Sequence, residues 1–188
     1  MKYLMQLCTL SVAALGVALA QVDASPFSLA SPDFGLKGPI PQAHIFNAYG
    51  CTGQNRSPAL SWQGTPAGTK SFVITMFDLD EHGSPSGWWH WVVYNLPATT
   101  TQLPDNAGSK EDNKLPAGTI QGRTDLGNDA YDGPCPDKGQ PPHRYLITLY
   151  ALSIDKLPVP SEASGALVTY TAHDSTLAKA ILTAKYGR

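Results

Sequence analysis

The sequence predicts a mainly β domain with helices packed at its C-terminal end. Three observations point there. Three long runs of β-branched and aromatic residues carry no internal breaker; the segments between them are rich in Gly and Pro; and apolar residues near the C-terminus recur at helical spacing.

The N-terminus reads as a targeting segment. Lys2 precedes an apolar stretch, 4–19, that is short for a membrane span, and Ala18-Leu19-Ala20 offers a cleavage signal. Residues 1–20 are therefore expected to be a signal peptide, 21–33 a flexible leader broken by Ser25-Pro26 and Ser31-Pro32, and 34–188 one domain. No later apolar run is long enough to cross a membrane. Cys8 lies inside the apolar stretch, away from the cleavage point, which argues against a lipid anchor. Export, to the periplasm or the medium, places Cys51 and Cys135 in an oxidising compartment where pairing is the default. A formal net charge of -2 and no basic stripe argue against nucleic acid.

Taken in order, residues 44–48 read as a short strand, 51–58 as loop, 59–62 as extended chain and 64–68 as a turn. Residues 70–78 and 88–96 form two strands without clean polar alternation, so both faces are expected to be covered. Residues 99–118 read as a surface excursion. Residues 130–142 hold too many prolines for a ladder and read as ordered loop. Residues 143–153 form the third long strand. Beyond Pro158 and Pro160, Leu177, Ala178, Ile181 and Leu182 suggest an amphipathic helix, capped by Asp174 or Ser175 and stopped by Gly187. A shorter helix over 162–171 is interrupted by Gly165.

The chemistry gathers at strand ends. Alternation puts Trp88, His90, Val92 and Tyr94 on one face and Trp89, Trp91 and Val93 on the other. His143 and Tyr145 share a face of the third strand, and Asp78 ends the first. If these ends meet, Asp78 can accept one imidazole N–H and aim the other ring nitrogen into a pocket. Two imidazoles, with backbone N–H groups near Gly133 and Cys135, could then hold a phosphate or carboxylate, flanked by Trp88, Tyr131 and Tyr145. Taken singly, each histidine is more often a hydrogen-bonded core residue; only their joint placement favours a site. Metal readings are weak. Asp78, Asp80 and His82 alternate as in a calcium loop, but Trp89 stands where the bidentate Glu belongs. A zinc set from His82, His90, His143 and Asp78 has no supporting motif. No metal or other cofactor is expected. There is no G-x-S-x-G elbow, two carboxylates spaced as Asp78 and Asp80 suit a glycosidase poorly, and Glu81 reads as a surface carboxylate.

Five motifs in order resemble the phosphatidylethanolamine-binding protein family, also called Raf kinase inhibitor-like, in its bacterial branch. They are Ser57-Pro58-Ala59-Leu60-Ser61-Trp62, Asp78-x-Asp80, Trp89-His90-Trp91-Val92-Val93, Gly133-Pro134-Cys135-Pro136 and His143-Arg144-Tyr145. The resemblance implies a central antiparallel sheet, a smaller second sheet, C-terminal helices and a small anion pocket. It implies ligand-binding roles for Asp78, Asp80, His90, His143 and Tyr145, with Pro134 and Pro136 in the pocket wall. The family's D-P-D-x-P reads Asp78-Leu79-Asp80-Glu81-His82 here, without prolines and with an added histidine. Three functions follow as expectations. The first is a non-catalytic binding protein for a small anion or phospholipid head group. The second is a secreted inhibitor with a protein partner, a protease or a host signalling protein. The third is a metal-assisted hydrolase at Asp78, His90 and His143, which the family resemblance disfavours.

Overall fold

The computed structural model describes residues 25–84 and 86–188. The expected signal peptide lies outside the described residues. Two antiparallel sheets form the domain. The smaller orders β1 (Ser28–Ala30), β2 (Leu60–Gln63) and β5 (Gln102–Leu103) as β1-β2-β5. The larger orders β6 (Ile120–Gln121), β4 (Trp88–Pro97), β3 (Ser71–Asp78), β7 (His143–Leu152) and β8 (Thr176–Tyr186) as β6-β4-β3-β7-β8. One short helix, α1 (Gly165–Ala172), precedes β8. Among the described residues no helix is long and apolar enough to cross a membrane.

The large sheet is covered on both faces, as its unalternating strands require. Phe72, Ile74, Met76, Ile147 and Leu149 pack against Leu29, Leu60, Trp62 and Leu103 of the small sheet. On the reverse face Val73, Val92, Tyr94 and Leu152 pack against Val168 and Ala172 of α1. Burying each such side chain is worth about 1.5–3 kcal/mol.

Five sequence expectations need correction. Residues 177–182 are not helical. They belong to β8, a partner of β7 from His143↔Tyr186 to Leu152↔Thr176. Ala180, Leu182 and Ala184 face the core while Leu177, Lys179 and Ile181 face out. That period of two was hidden by the strong helix propensity of Ala, Lys and Leu, which the ladder overrides. The one α-helix among the described residues is the one that Gly165 was expected to interrupt. Gly165 is its first residue, where a missing side chain costs little, and Ser164 caps it by accepting from Leu167 N–H. An added Cβ there would stand 2.3 Å from the Trp89 ring, so close packing demands the glycine. Residues 44–48 form no strand. A 3₁₀ turn at Gln42–His44 is followed by extended chain against which the Gly53 and Gly133 backbones lie too close for any Cβ. Ser28–Ala30 is a paired strand rather than loose leader, and the excursion 99–118 contributes β5.

β4 also departs from simple alternation. Met76 pairs with Trp91 but Phe77 pairs with Trp89, so His90 is an extra residue, a bulge. Trp91 and Val93 therefore join the face that carries Trp88 and His90, while Trp89, Val92 and Tyr94 take the other.

Candidate functional site

A pocket of about 210 Å³ opens at the end of β3, β4 and β7, on the inter-sheet face. Of the residues expected to bind ligand, Asp78, Trp88, His90, Gly133, Pro136 and Tyr145 line it. Phe46, Tyr49, Glu81, Leu126, Asp132 and Cys135 complete the wall. Glu81 is thus a pocket group rather than a bland surface carboxylate. Phe46 and Tyr49 stack with ring centroids 5.9 Å apart, and Tyr49 is largely exposed at the rim.

Asp78 is buried and fully engaged on its strand side. One oxygen accepts from Asp80 N–H at 2.8 Å and the other from His143 Nδ1 at 2.8 Å. The second nitrogen of His143 lies 2.9 Å from Gln140 Oε1. His143 therefore stands behind Asp78 and holds it; its free nitrogen is not aimed into the pocket, contrary to the sequence expectation. The expected pair of pocket imidazoles is a single one, His90.

His90 Nδ1 lies 2.8 Å from the carbonyl of Asp132, which can only accept, so that nitrogen carries the proton. Nε2 is left as a lone pair with no hydrogen-bond partner among the described residues. Burial pushes the His90 pKa below its usual value, against the opposing pull of the Asp132 carbonyl and of the Asp78, Asp132 and Glu81 carboxylates. Tyr145 packs edge-on to His90 at 5.3 Å, and its buried hydroxyl, which lies close to the Asp78 carboxylate, makes no hydrogen bond of regular geometry among the described residues. Burial, with the Asp78 charge, drives its phenol well above the ordinary pKa and keeps the O–H as a donor.

Three other expected ligand groups are structural. Asp80 accepts from Arg144 backbone N–H and Nε, both at 2.8 Å, and from Nη2 at 2.6 Å. The guanidinium lowers its carboxyl pKa to about 2. Tyr131 sits behind the wall, donating to the carbonyl of His44 at 2.9 Å. Pro134 is buried and its carbonyl accepts from Phe46 N–H at 3.1 Å.

Two ties join walls that are distant in sequence. The Cys51–Cys135 disulfide, expected from export, is present with Cα atoms 5.9 Å apart. Arg188 donates from Nε to Pro136 O at 2.6 Å and from Nη1 to Gly50 O at 2.8 Å. Asn55, which lies in an acceptor-like Asn-Arg-Ser triplet, spends its amide internally. It accepts from Gly133 N–H at 2.7 Å and donates to Tyr131 O at 3.1 Å, from a left-handed backbone at φ 53°. No local pattern signalled that role.

This pairing of a two-sheet fold with a buried Asp–His pair, a lone pocket histidine and a proline-lined wall has a family match. Residues 30–187 fit the model of the phosphatidylethanolamine-binding protein family, and the chain belongs to that family. It is 44% identical to the UPF0098 protein YbcL of Escherichia coli (strain K12), over 87% of this chain and 89% of that protein. The crystal structure of E. coli YbcL, described as a member of the mammalian PEBP family, superposes with a TM-score of 0.84 at 43% identity, covering 87% of this chain and 99% of that one. YbhB of the same organism is 48% identical over 78% of this chain and 91% of its own. LppC of Mycobacterium tuberculosis (strain ATCC 25618 / H37Rv), named as a lipoprotein, is 34% identical over 76% of this chain and 63% of its own.

Proposed function

We propose that the chain is an exported, non-catalytic binding protein whose pocket takes a small phosphate-bearing group of phospholipid head-group class. The observation that carries this reading is the pocket floor. The Tyr145 hydroxyl is buried without a hydrogen-bond partner among the described residues, against the His90 ring whose Nε2 makes no internal hydrogen bond, and an unpaired buried polar group costs about 1–3 kcal/mol unless a ligand or water meets it. The volume is below the usual range for drug-sized ligands and suits a head group rather than acyl chains.

The charge of the lining refines the ligand. Asp78, Glu81 and Asp132 are there, and no Lys or Arg is among the lining residues. A bare dianion meets carboxylates it cannot pair with. A zwitterion such as phosphoethanolamine serves both needs: its phosphate takes the Tyr145 O–H and a proton on His90, and its ammonium takes Glu81 and the faces of Tyr49 and Phe46. The lining contains no Ser, Thr or free thiol, because Cys135 is spent in the disulfide, and this supports binding over nucleophilic catalysis. Export is supported by the basic and apolar N-terminal stretch, by the disulfide and by the lipoprotein name of LppC.

The test is native mass spectrometry of the oxidised mature protein, titrated separately with phosphoethanolamine, inorganic phosphate and ethanolamine. Saturable one-to-one binding is expected for phosphoethanolamine, weaker binding for phosphate, and loss of both in His90→Ala. Equal binding by wild type and His90→Ala would remove the pocket from consideration and leave a surface-contact inhibitor as the better account.

A further inference from the structure

A second constellation lies behind the pocket wall, where the 3₁₀ turn of residues 42–44 meets the chain before β2 and after β5. Its centre is His44, only 3% exposed. His44 Nδ1 lies 2.8 Å from the carbonyl of Arg56 and so carries the proton. Nε2 then presents a lone pair, and it faces Asp33 Oδ2 at 3.5 Å, too long for a charge-assisted hydrogen bond. The carboxylate of Asp105 closes the third side, and the three candidate ligand atoms lie within 4.8 Å of one another. A buried imidazole nitrogen that faces two carboxylates at these distances is a position suited to a cation.

We infer that Asp33, His44 and Asp105 form a binding site for one divalent transition-metal ion, with Zn²⁺ or Mn²⁺ as the fitting class. The imidazole nitrogen disfavours Mg²⁺ and Ca²⁺, which take all-oxygen shells, and the absence of thiolate disfavours the softest ions. The outer contacts are those that hold metal ligands in place. The Arg56 carbonyl fixes the His44 tautomer, Ala59 N–H at 2.8 Å orients Asp33, and the Arg56 guanidinium orients Asp105. Asp33 and Asp105 are 27% and 40% exposed, so an ion has an entry path and a place to keep a water ligand. Bonds of about 2.0 Å put tetrahedral ligands about 3.3 Å apart, so the two carboxylates must close by roughly 1 Å. They are the mobile partners, and His44 is the fixed one.

This site is separate from Asp78, Glu81 and His143, which also come within 4.8 Å of one another but whose Asp78 and His143 already bond each other. One turn joins the two sites: the carbonyl of His44 accepts from Tyr131, and Phe46, two residues on, lines the pocket.

The experiment uses the mature, oxidised protein, stripped with chelator and titrated by calorimetry with ZnCl₂ and with MnCl₂, with metal content measured after gel filtration. One equivalent per chain is expected, with a rise in thermal midpoint on metal addition. Asp105→Asn, a partly exposed substitution that leaves the fold intact, should weaken binding at least tenfold and abolish that rise. His44→Gln should remove binding, and Glu81→Gln should leave it unchanged. Absence of saturable binding in the wild type, undiminished binding in Asp105→Asn, or loss in Glu81→Gln instead would overturn the assignment.

Discussion

Ligand binding in the pocket should take up a proton. His90 gives its one N–H to the Asp132 carbonyl, and burial keeps the ring neutral, so an anionic oxygen can bond to Nε2 only if a proton arrives with it. A probe whose own charge does not titrate isolates the effect, and 2-aminoethyl sulfate is such an analogue of phosphoethanolamine. Its affinity should rise as pH falls from 8 towards 5.5. The limiting slope is tenfold per pH unit, about 1.4 kcal/mol, between the His90 pKa of the complex and the depressed one of the empty pocket. Calorimetry in two buffers of different ionisation enthalpy reads the proton directly, and the uptake should approach one per ligand. His90→Gln keeps a donor but cannot titrate, so it should bind weakly with a flat profile. In the empty protein the sign is opposite. The unfolded state takes the proton more readily than the fold, so stability should decline as pH drops below about 6.5. A flat affinity profile with no proton uptake in the wild type would refute this account of His90.

Three further outcomes are expected. Asp80→Asn should cost about 1 kcal/mol at neutral pH, a figure kept small because Arg144 is half exposed. The Asp80 pKa is depressed to about 2, so the contribution holds above about pH 4 and disappears as pH falls towards 2; equal urea midpoints for the two proteins at neutral pH would contradict it. Gly165→Ala should destabilise by about 1–3 kcal/mol although Ala is the better helix former, because its Cβ would press on the Trp89 ring; a gain in denaturant midpoint would show the contact to be soft. Replacing both Cys51 and Cys135 with Ala should cost about 4 kcal/mol, given the 84-residue separation, and should also lower head-group affinity as the wall bearing Phe46 and Tyr49 parts from that bearing Gly133 and Pro136. Unchanged affinity in a folded double variant would confine the disulfide to a stability role.

Much of the frame was legible because β3, β4 and β7 are long, aromatic and unbroken, and because prolines mark 130–142 as loop. β8 was misread because its Ala and Lys residues have helical preferences, while its alternation shows only against a partner strand. The site was legible where residues cap strands, as at Asp78, Trp88, His90 and Tyr145. Phe46, Tyr49 and Leu126 come from irregular chain with no period to betray them. The His143 reading failed for a geometric reason: a histidine beside a carboxylate can serve the pocket or support the carboxylate, and only the position of Gln140 decides. Asn55 was invisible because its partners lie 76 and 78 residues away.

The bulge at His90 makes β4 a phase-setting device. On one side of it Trp91 and Val93 fill the space between the sheets; on the other, Trp88 faces the pocket together with His90 itself. Strand length between Trp88 and Trp91 is thereby as constrained as residue type. Removing His90 would even the ladder at this point and leave Trp88 and Trp89 on their present faces, but it would take the imidazole out of the pocket floor. Substitutions along this strand are graded in their effect, whereas loss of the bulge residue would strip the pocket of its imidazole while the rest of the ladder stays in register.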